Sequence, residues 1–270
     1  MKPMLAKSTE GSMNVELEKN GYTIGNLPSE VLKLLRNEVL SLINNSRNMQ
    51  EVRDYINSLP DEDFRKVFSK ERRFFSFATA LFVQDWASSL KSILEANKLI
   101  ISPVSKNEIR KNDKLRVGDK DFFFRCVRAF HNDVAPAHYD AMFWEILQGT
   151  DASPEISDSY EKRWKIWIPL FYCDQNNSLQ VISGSHIENI PCKFTESNQV
   201  SYITKSVSVA KVPGIDEQWL HCNENRFKSP KDLEVGKFLL FHDKLVHCGP
   251  QNSNSEYYPR ISCEFTLLAS

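Results

Sequence analysis

Asp133-Val134-Ala135-Pro136-Ala137-His138-Tyr139-Asp140 is the stretch on which the reading of this 270-residue chain turns. In extended backbone, residues i and i+2 point to the same side, so His138 and Asp140 can reach one ion together. A second, distant histidine would complete a facial triad of two imidazoles and one carboxylate, which leaves positions open on Fe(II) for a co-substrate and O2. The candidate lies downstream in Gly236-Lys237-Phe238-Leu239-Leu240-Phe241-His242-Asp243-Lys244-Leu245-Val246-His247, which reads as turn, strand, short loop and histidine. Geometry alone admits a rival pair in His131-Asn132-Asp133. Chance composition gives about 0.3 His-x-Asp triplets in such a chain, so two close together carry only modest weight and do not choose between themselves.

Thirteen residues past His247 stands Arg260-Ile261-Ser262. On a strand Arg260 and Ser262 share a face. The guanidinium can hold a carboxylate by two parallel hydrogen bonds and the hydroxyl can add a third contact. A dicarboxylate that chelates the metal at one end needs such an anchor at the other.

Working outward, the first hundred residues read as helical. Val31, Leu35, Val39, Leu42 and Ile43 follow the Asn26-Leu27-Pro28-Ser29 start signal with helical spacing. Further helices are expected over Glu51–Leu59, Asp61–Ser69 and Glu71–Ala96, the last carrying an aromatic stripe suited to packing on a core. From about Leu115 the texture turns to short aromatic and β-branched runs: Phe122–Phe130, Lys165–Tyr172, Leu179–Ile182, Val200–Val209, Lys237–His242 and Ile261–Leu268. Irregular polar connections between them predict a sandwich or barrel rather than alternating β/α units.

Composition excludes several classes. Lys+Arg total 34 and Asp+Glu 35, a net charge of −1, which leaves no basic excess for a nucleic-acid binder. The longest nearly apolar run, Phe74 to Val83, is too short to span a bilayer, and the opening residues carry no apolar signal core. A cytoplasmic protein with no membrane partner is the expectation. Six cysteines without a CxxC pair point to reduced thiols rather than a disulfide framework or structural zinc. The charge-rich Lys106–Lys120 reads as a solvated segment.

Taken in order, the pieces resemble the phytanoyl-CoA dioxygenase-like branch of the Fe(II)- and 2-oxoglutarate-dependent oxygenases over most of the chain. Glu18-Lys19-Asn20-Gly21-Tyr22 resembles the family's opening. Asp133 to Asp140 with Phe143-Trp144 resembles its metal-binding segment, and this alignment favours His138 and Asp140 over His131 and Asp133. Trp167-Ile168-Pro169-Leu170 and Ser178-Leu179-Gln180-Val181-Ile182-Ser183-Gly184-Ser185-His186 resemble its central hairpin, and Gly236 to Arg260 its distal-histidine and arginine region. Two positions depart from the pattern: Asn177 stands where Gly is usual and Ser183 where Pro is usual. Asn tolerates a left-handed turn, so the hairpin is expected to persist.

The resemblance implies one domain, mainly β with α. Residues 1–114 would be mainly helical support, and residues 115–270 a double-stranded β-helix (jelly-roll, cupin-like) core. It implies iron on His138, Asp140 and His247, with Arg260 and Ser262 on the distal carboxylate of 2-oxoglutarate. Trp167 and Arg128 are expected nearby. Arg125 and Arg128 differ in strand parity, so at most one should face the site. The implied reaction is a dioxygenase's: O2 and 2-oxoglutarate give succinate and CO2 as a small-molecule substrate is hydroxylated. Asp140 argues against halogenation, for which related enzymes replace that carboxylate with a small residue. His186 is expected to be structural. Two alternatives remain open: a catalytically silent jelly-roll binding module, and an iron oxygenase of this fold that does not use 2-oxoglutarate. Substrate identity and oligomeric state are not encoded in any motif.

Overall fold

The computed structural model describes residues 16–68, 75–90, 101–102, 122–142, 162–196 and 211–269. The expected strand Val200–Val209, the Lys106–Lys120 segment and the Phe143-Trp144 pair lie outside the described residues.

Among the described residues of the N-terminal part, residues 16–20 are helical and helices α1 (Ser29–Leu42), α2 (Met49–Ser58), α3 (Asp61–Val67) and α4 (Phe77–Ser88) follow. Helix α1 buries Val31, Leu35 and Val39, one residue per turn on a single stripe. The chain leaves it through Asn44 and Asn45 at φ 53° and 49°, a left-handed turn that asparagine accepts more readily than most residues. Helix α2 starts where the Asn48 side chain accepts from the Glu51 N–H at 3.0 Å, a cap that contributes about 1 kcal/mol.

The same N-terminal part also supplies β1 (Tyr22–Asn26), where the sequence reads only helix. The remaining strands are β2 (Ile101–Ser102), β3 (Phe123–Val127), β4 (Lys162–Phe171), β5 (Gln180–Val181), β6 (Cys192–Glu196), β7 (Lys211–Ile215), β8 (Lys237–His242), β9 (His247–Cys248) and β10 (Arg260–Ala269). A short helix α5 (Glu217–Asn223) follows β7. The major sheet runs β1-β8-β4-β10-β2, with β3 paired to the first half of β10, and every pairing is antiparallel. A second, smaller layer is built on β5 paired with β9. It widens on one side through a bridge from His247 to His138, and on the other through a bridge from Val181 to Lys228. A ribbon of β6 and β7 stands apart. Two antiparallel layers with supporting helices make the double-stranded β-helix architecture expected from the sequence.

The two faces of the major sheet differ sharply. Phe124, Cys126, Ile166, Ile168, Leu170, Phe238, Leu240, Ile261, Cys263 and Phe265 share one core with the buried residues of the helices. Phe75 stacks on Phe122 at 4.4 Å, and Phe122 meets Phe265 edge-on at 5.2 Å. The opposite face points to the small layer. Register places Lys165 opposite both Phe241 and Thr266, Trp167 opposite Leu239 and Glu264, and Arg125 opposite Ser262. This inner face carries an apolar patch of Trp167, Val181, Leu239, Phe241 and Leu245, and beside it a row of charges.

The central hairpin persists by a different device from the one expected. Asn177 is not among the left-handed residues. Its side chain instead accepts from the Asp174 N–H at 2.9 Å and donates to the Tyr172 carbonyl at 2.8 Å, closing the turn with an amide where glycine would have used backbone freedom. Ser185 accepts the Val246 N–H at 2.9 Å and so pins the residue before His247. That is the structural work of the Gly184-Ser185-His186 turn.

Gly21 sits at φ 79°, and an added Cβ would fall on the His186 ring and within 2.9 Å of Leu245 Cδ1. Gly236 has φ 94° but open space around it. Gly21→Ala is therefore expected to cost about 2–4 kcal/mol, combining left-handed strain with overpacking, and Gly236→Ala about 1–2 kcal/mol from strain alone. Urea unfolding of the two variants checks the order; equal losses would contradict the packing seen at His186.

Candidate metal centre

The small layer delivers two imidazoles to one place. His138 and His247 form an antiparallel bridge whose two backbone hydrogen bonds measure 3.0 and 2.8 Å, and their rings lie 4.4 Å apart. Each ring is oriented the same way. Nδ1 of His138 donates to the Pro136 carbonyl at 2.7 Å, and Nδ1 of His247 to the Leu245 carbonyl at 2.9 Å. A carbonyl can only accept, so both Nδ1 atoms carry the proton and both Nε2 lone pairs are left for a ligand. The His247 ring packs edge-on against Phe241 of the major sheet at 5.0 Å, which places it between the layers.

Asp140 closes the group. Candidate ligand atoms of His138, Asp140 and His247 all lie within 4.8 Å of one another, and no other such cluster occurs among the described residues. Asp140 Oδ2 is 3.8 Å from His247 Nε2 and is buried without a hydrogen-bond partner. A buried carboxylate oxygen left unsatisfied is costly, and a divalent cation between it and the imidazoles removes that cost. Desolvation of the ring, then the neighbouring His247, lowers the His138 imidazole to about 4. It is neutral at pH 7, the form that binds a metal. The residues present fit a facial-triad cation.

Arg260 opens β10, opposite Val127 of β3. It is 5% exposed, and its Nη1 donates to the carbonyls of Asn177 and, at 2.8 Å, Pro250. Nε and Nη2 make no hydrogen bond among the described residues, and no carboxylate there pairs with the group. Its titratable neighbours include Cys173 and Cys248, whose thiols burial raises to about 12 and about 11. Both are neutral at pH 7 and supply no counter-charge. An arginine cannot shed its proton to relieve this, so the buried cation calls for an anion from outside. Gly249 allows the approach: a Cβ there would stand 3.0 Å from Arg260 Nη2. Ser262 follows on the same face, 5% exposed, and Trp167 lies buried on the neighbouring strand.

The remaining candidates are placed elsewhere. Asp133 accepts Arg128 Nε at 2.8 Å and Nη2 at 2.9 Å, while Asp61 accepts Arg128 Nη1 at 2.8 Å. The guanidinium lies 3.9 Å over the Phe64 ring. His131 turns outward to Asp61 at 3.3 Å. Arg128, expected beside the co-substrate, thus ties the β3 exit to α3, and the His131/Asp133 pair belongs to that tie. Arg125 is the arginine on the inner face, paired with Glu264 at 3.0 Å.

Glu264 and Lys165 escaped the sequence reading, although a signal was there. Each stands between two apolar neighbours, Lys165 between Trp164 and Ile166 and Glu264 between Cys263 and Phe265, and charged side chains are seldom buried without partners. Burial opposes ionisation of Glu264, but Arg125 and Lys165 outweigh it and hold the carboxyl well below the usual range. Lys165 Nζ donates to Thr266 Oγ1 at 3.2 Å and stands 3.8 Å from Asp140 Oδ1.

Removing the Arg128 charge leaves Asp133 uncompensated, so Arg128→Met should destabilise the protein by about 3 kcal/mol. Binding of 2-oxoglutarate should not change. Denaturant unfolding and ligand titration of the same variant check both; weakened 2-oxoglutarate binding in a protein of unchanged stability would contradict the placement.

The phytanoyl-CoA dioxygenase (PhyH) family matches residues 17–261, a span that takes in His138, Asp140, His247 and Arg260. Among solved structures, EctD from S. alaskensis with 2-oxoglutarate and 5-hydroxyectoine is similar at 13% identity and a TM-score of 0.47, covering 98% of this chain and 76% of that one. EvdO2 from Micromonospora carbonacea var. aurantiaca, complexed with 2-oxoglutarate, is 13% identical with a TM-score of 0.45, covering 100% and 93%. The non-heme alpha-ketoglutarate-dependent epimerase SnoN from nogalamycin biosynthesis is 11% identical with a TM-score of 0.44, covering 97% and 84%. No curated protein matches. No helix among the described residues is long and apolar enough to cross a membrane. With the family match running from the helical residues before β1 into β10, the chain belongs to the phytanoyl-CoA dioxygenase family.

Proposed function

We propose that the protein is an Fe(II)- and 2-oxoglutarate-dependent dioxygenase that hydroxylates a small-molecule metabolite. The observation that carries the reading is the buried, unpartnered Asp140 Oδ2 facing His247 Nε2, beside two imidazoles whose Nδ1 protons are already committed to backbone carbonyls. Bound there, Fe(II) would supply the site at which O2 and the 2-oxo acid react, giving succinate, CO2 and a hydroxylated substrate.

The chain's own residues do the rest. His138 and His247 hold their rings fixed, since second-sphere hydrogen bonds to Nδ1 set both tautomer and direction. Arg260 supplies the buried positive charge for the far carboxylate of 2-oxoglutarate, with Ser262 adding a hydroxyl on the same strand face. Trp167 and its apolar neighbours on the inner face exclude water from the space between metal and arginine, which strengthens each charge interaction there. Asp140 keeps the metal ligated by carboxylate rather than open to a halide, so hydroxylation is the outcome the ligand set favours.

Anaerobic Fe(II) titration and succinate release test the assignment. His138→Ala and Asp140→Ala should abolish tight Fe(II) binding and all succinate formation. Arg260→Ala should bind Fe(II) normally but lose about 2–5 kcal/mol of 2-oxoglutarate affinity, at least about 30-fold. Full turnover in Arg260→Ala without 2-oxoglutarate would contradict the co-substrate; Fe(II) binding that survives both ligand substitutions would contradict the site.

A further inference from the structure

Lys165 is a charged residue in the middle of β4, the central strand between β8 and β10, and it is only 8% exposed. An ammonium so placed is retained only where its partners offset the loss of water. Thr266, directly opposite, accepts a hydrogen bond from it at 3.2 Å. Glu264, one pair along the same face, is held ionised in part by it. The third partner is Asp140 Oδ1 at 3.8 Å, the carboxylate oxygen that does not face His247. Asp140 therefore has a different neighbour at each oxygen: His247 Nε2 at Oδ2 and Lys165 Nζ at Oδ1. Along the inner face, charges alternate from Arg125 through Glu264 and Lys165 to Asp140.

We propose that Lys165 is a positioning residue that keeps Asp140 a one-oxygen ligand, so that the metal retains the coordination positions a chelating 2-oxo acid needs. The inference rests on the reading of Asp140 as a metal ligand and goes beyond it to a residue outside the ligand set. A carboxylate free to rotate can bring both oxygens to one cation, and each position taken that way is lost to the co-substrate. The ammonium holds Oδ1 back by attraction. Thr266 and Glu264 in turn hold the ammonium, which fixes a flexible four-carbon side chain in one place.

The test separates metal binding from co-substrate binding in the full-length protein. Fe(II) is titrated anaerobically into the unsubstituted protein, Lys165→Met, Lys165→Arg and Asp140→Ala. Then 2-oxoglutarate is added and its chelate followed by charge-transfer absorbance. Lys165→Met should bind Fe(II) at least as tightly as the unsubstituted protein, because a like charge is removed. Its 2-oxoglutarate affinity should fall about 10-fold or more. Lys165→Arg, which keeps charge and donors, should recover most of that affinity. Lys165→Gln is read the same way should Lys165→Met not fold. Unchanged 2-oxoglutarate affinity in the neutral variants overturns the inference, as does a parallel loss of Fe(II) and 2-oxoglutarate binding, which marks a residue that merely supports the fold. Undiminished Fe(II) affinity in Asp140→Ala would instead remove the metal reading beneath it.

Discussion

The backbone bridge between His138 and His247 is the constraint on which the rest of the site depends. Two hydrogen bonds join segments more than a hundred residues apart, and that pairing brings the two tilted rings to 4.4 Å. Asp140 follows in a turn two residues after the bridge, and its candidate ligand atom comes within 4.8 Å of those of both histidines. The bridge is itself held from below. Ile182 donates to Val246 and Ser185 accepts from it, so the central hairpin fixes the residue preceding His247. Displacing that hairpin would move one imidazole relative to the other, with no substitution at either.

The major sheet is what permits a charged interior in a protein of ordinary composition. Its helix-facing side is continuous hydrocarbon and aromatic ring, and that apolar core supplies most of the folding free energy. The other side can then carry Arg125, Lys165, Glu264 and Arg260, because each of the first three has a partner of opposite sign or a hydroxyl. Arg260 differs. Its neighbours are carbonyls and neutral thiols, so the stability of its surroundings should rise when an anion arrives. A near-zero net charge over the whole chain is compatible with such local concentration, and makes anion recognition a property of one residue's surroundings rather than of a surface.

Much of this was legible in the sequence because it is written in short-range patterns. Helix α1 follows its apolar spacing, β8 spans the residues its composition marks, and Arg260 with Ser262 obey simple alternation. What failed to show was set by distant partners. The choice between His131/Asp133 and His138/Asp140 depends on which segment bridges to His247, and no local rule decides it. For Arg128 strand parity gives no guide, because Val127 is the last residue of β3 and the next side chain answers to Asp133 and Asp61. β1 lies between helical residues and is a strand only because β8 needs an edge partner. β9 is two residues long and exists through its pairing with β5. Lys165 and Glu264 look like surface charges until the two layers close over them.

The proposed function stands on three side chains, one on β9 and two on the segment bridged to it, sharing one metal, with Arg260 holding the far end of the co-substrate. Crystals grown anaerobically with Fe(II) and 2-oxoglutarate, measured at the iron absorption edge, test it most directly. The account predicts one anomalous peak coordinated by His138 Nε2, Asp140 Oδ2 and His247 Nε2, with continuous density for 2-oxoglutarate from the metal to the Arg260 guanidinium. A peak at His131 and Asp133, or 2-oxoglutarate density that does not reach Arg260, would contradict it.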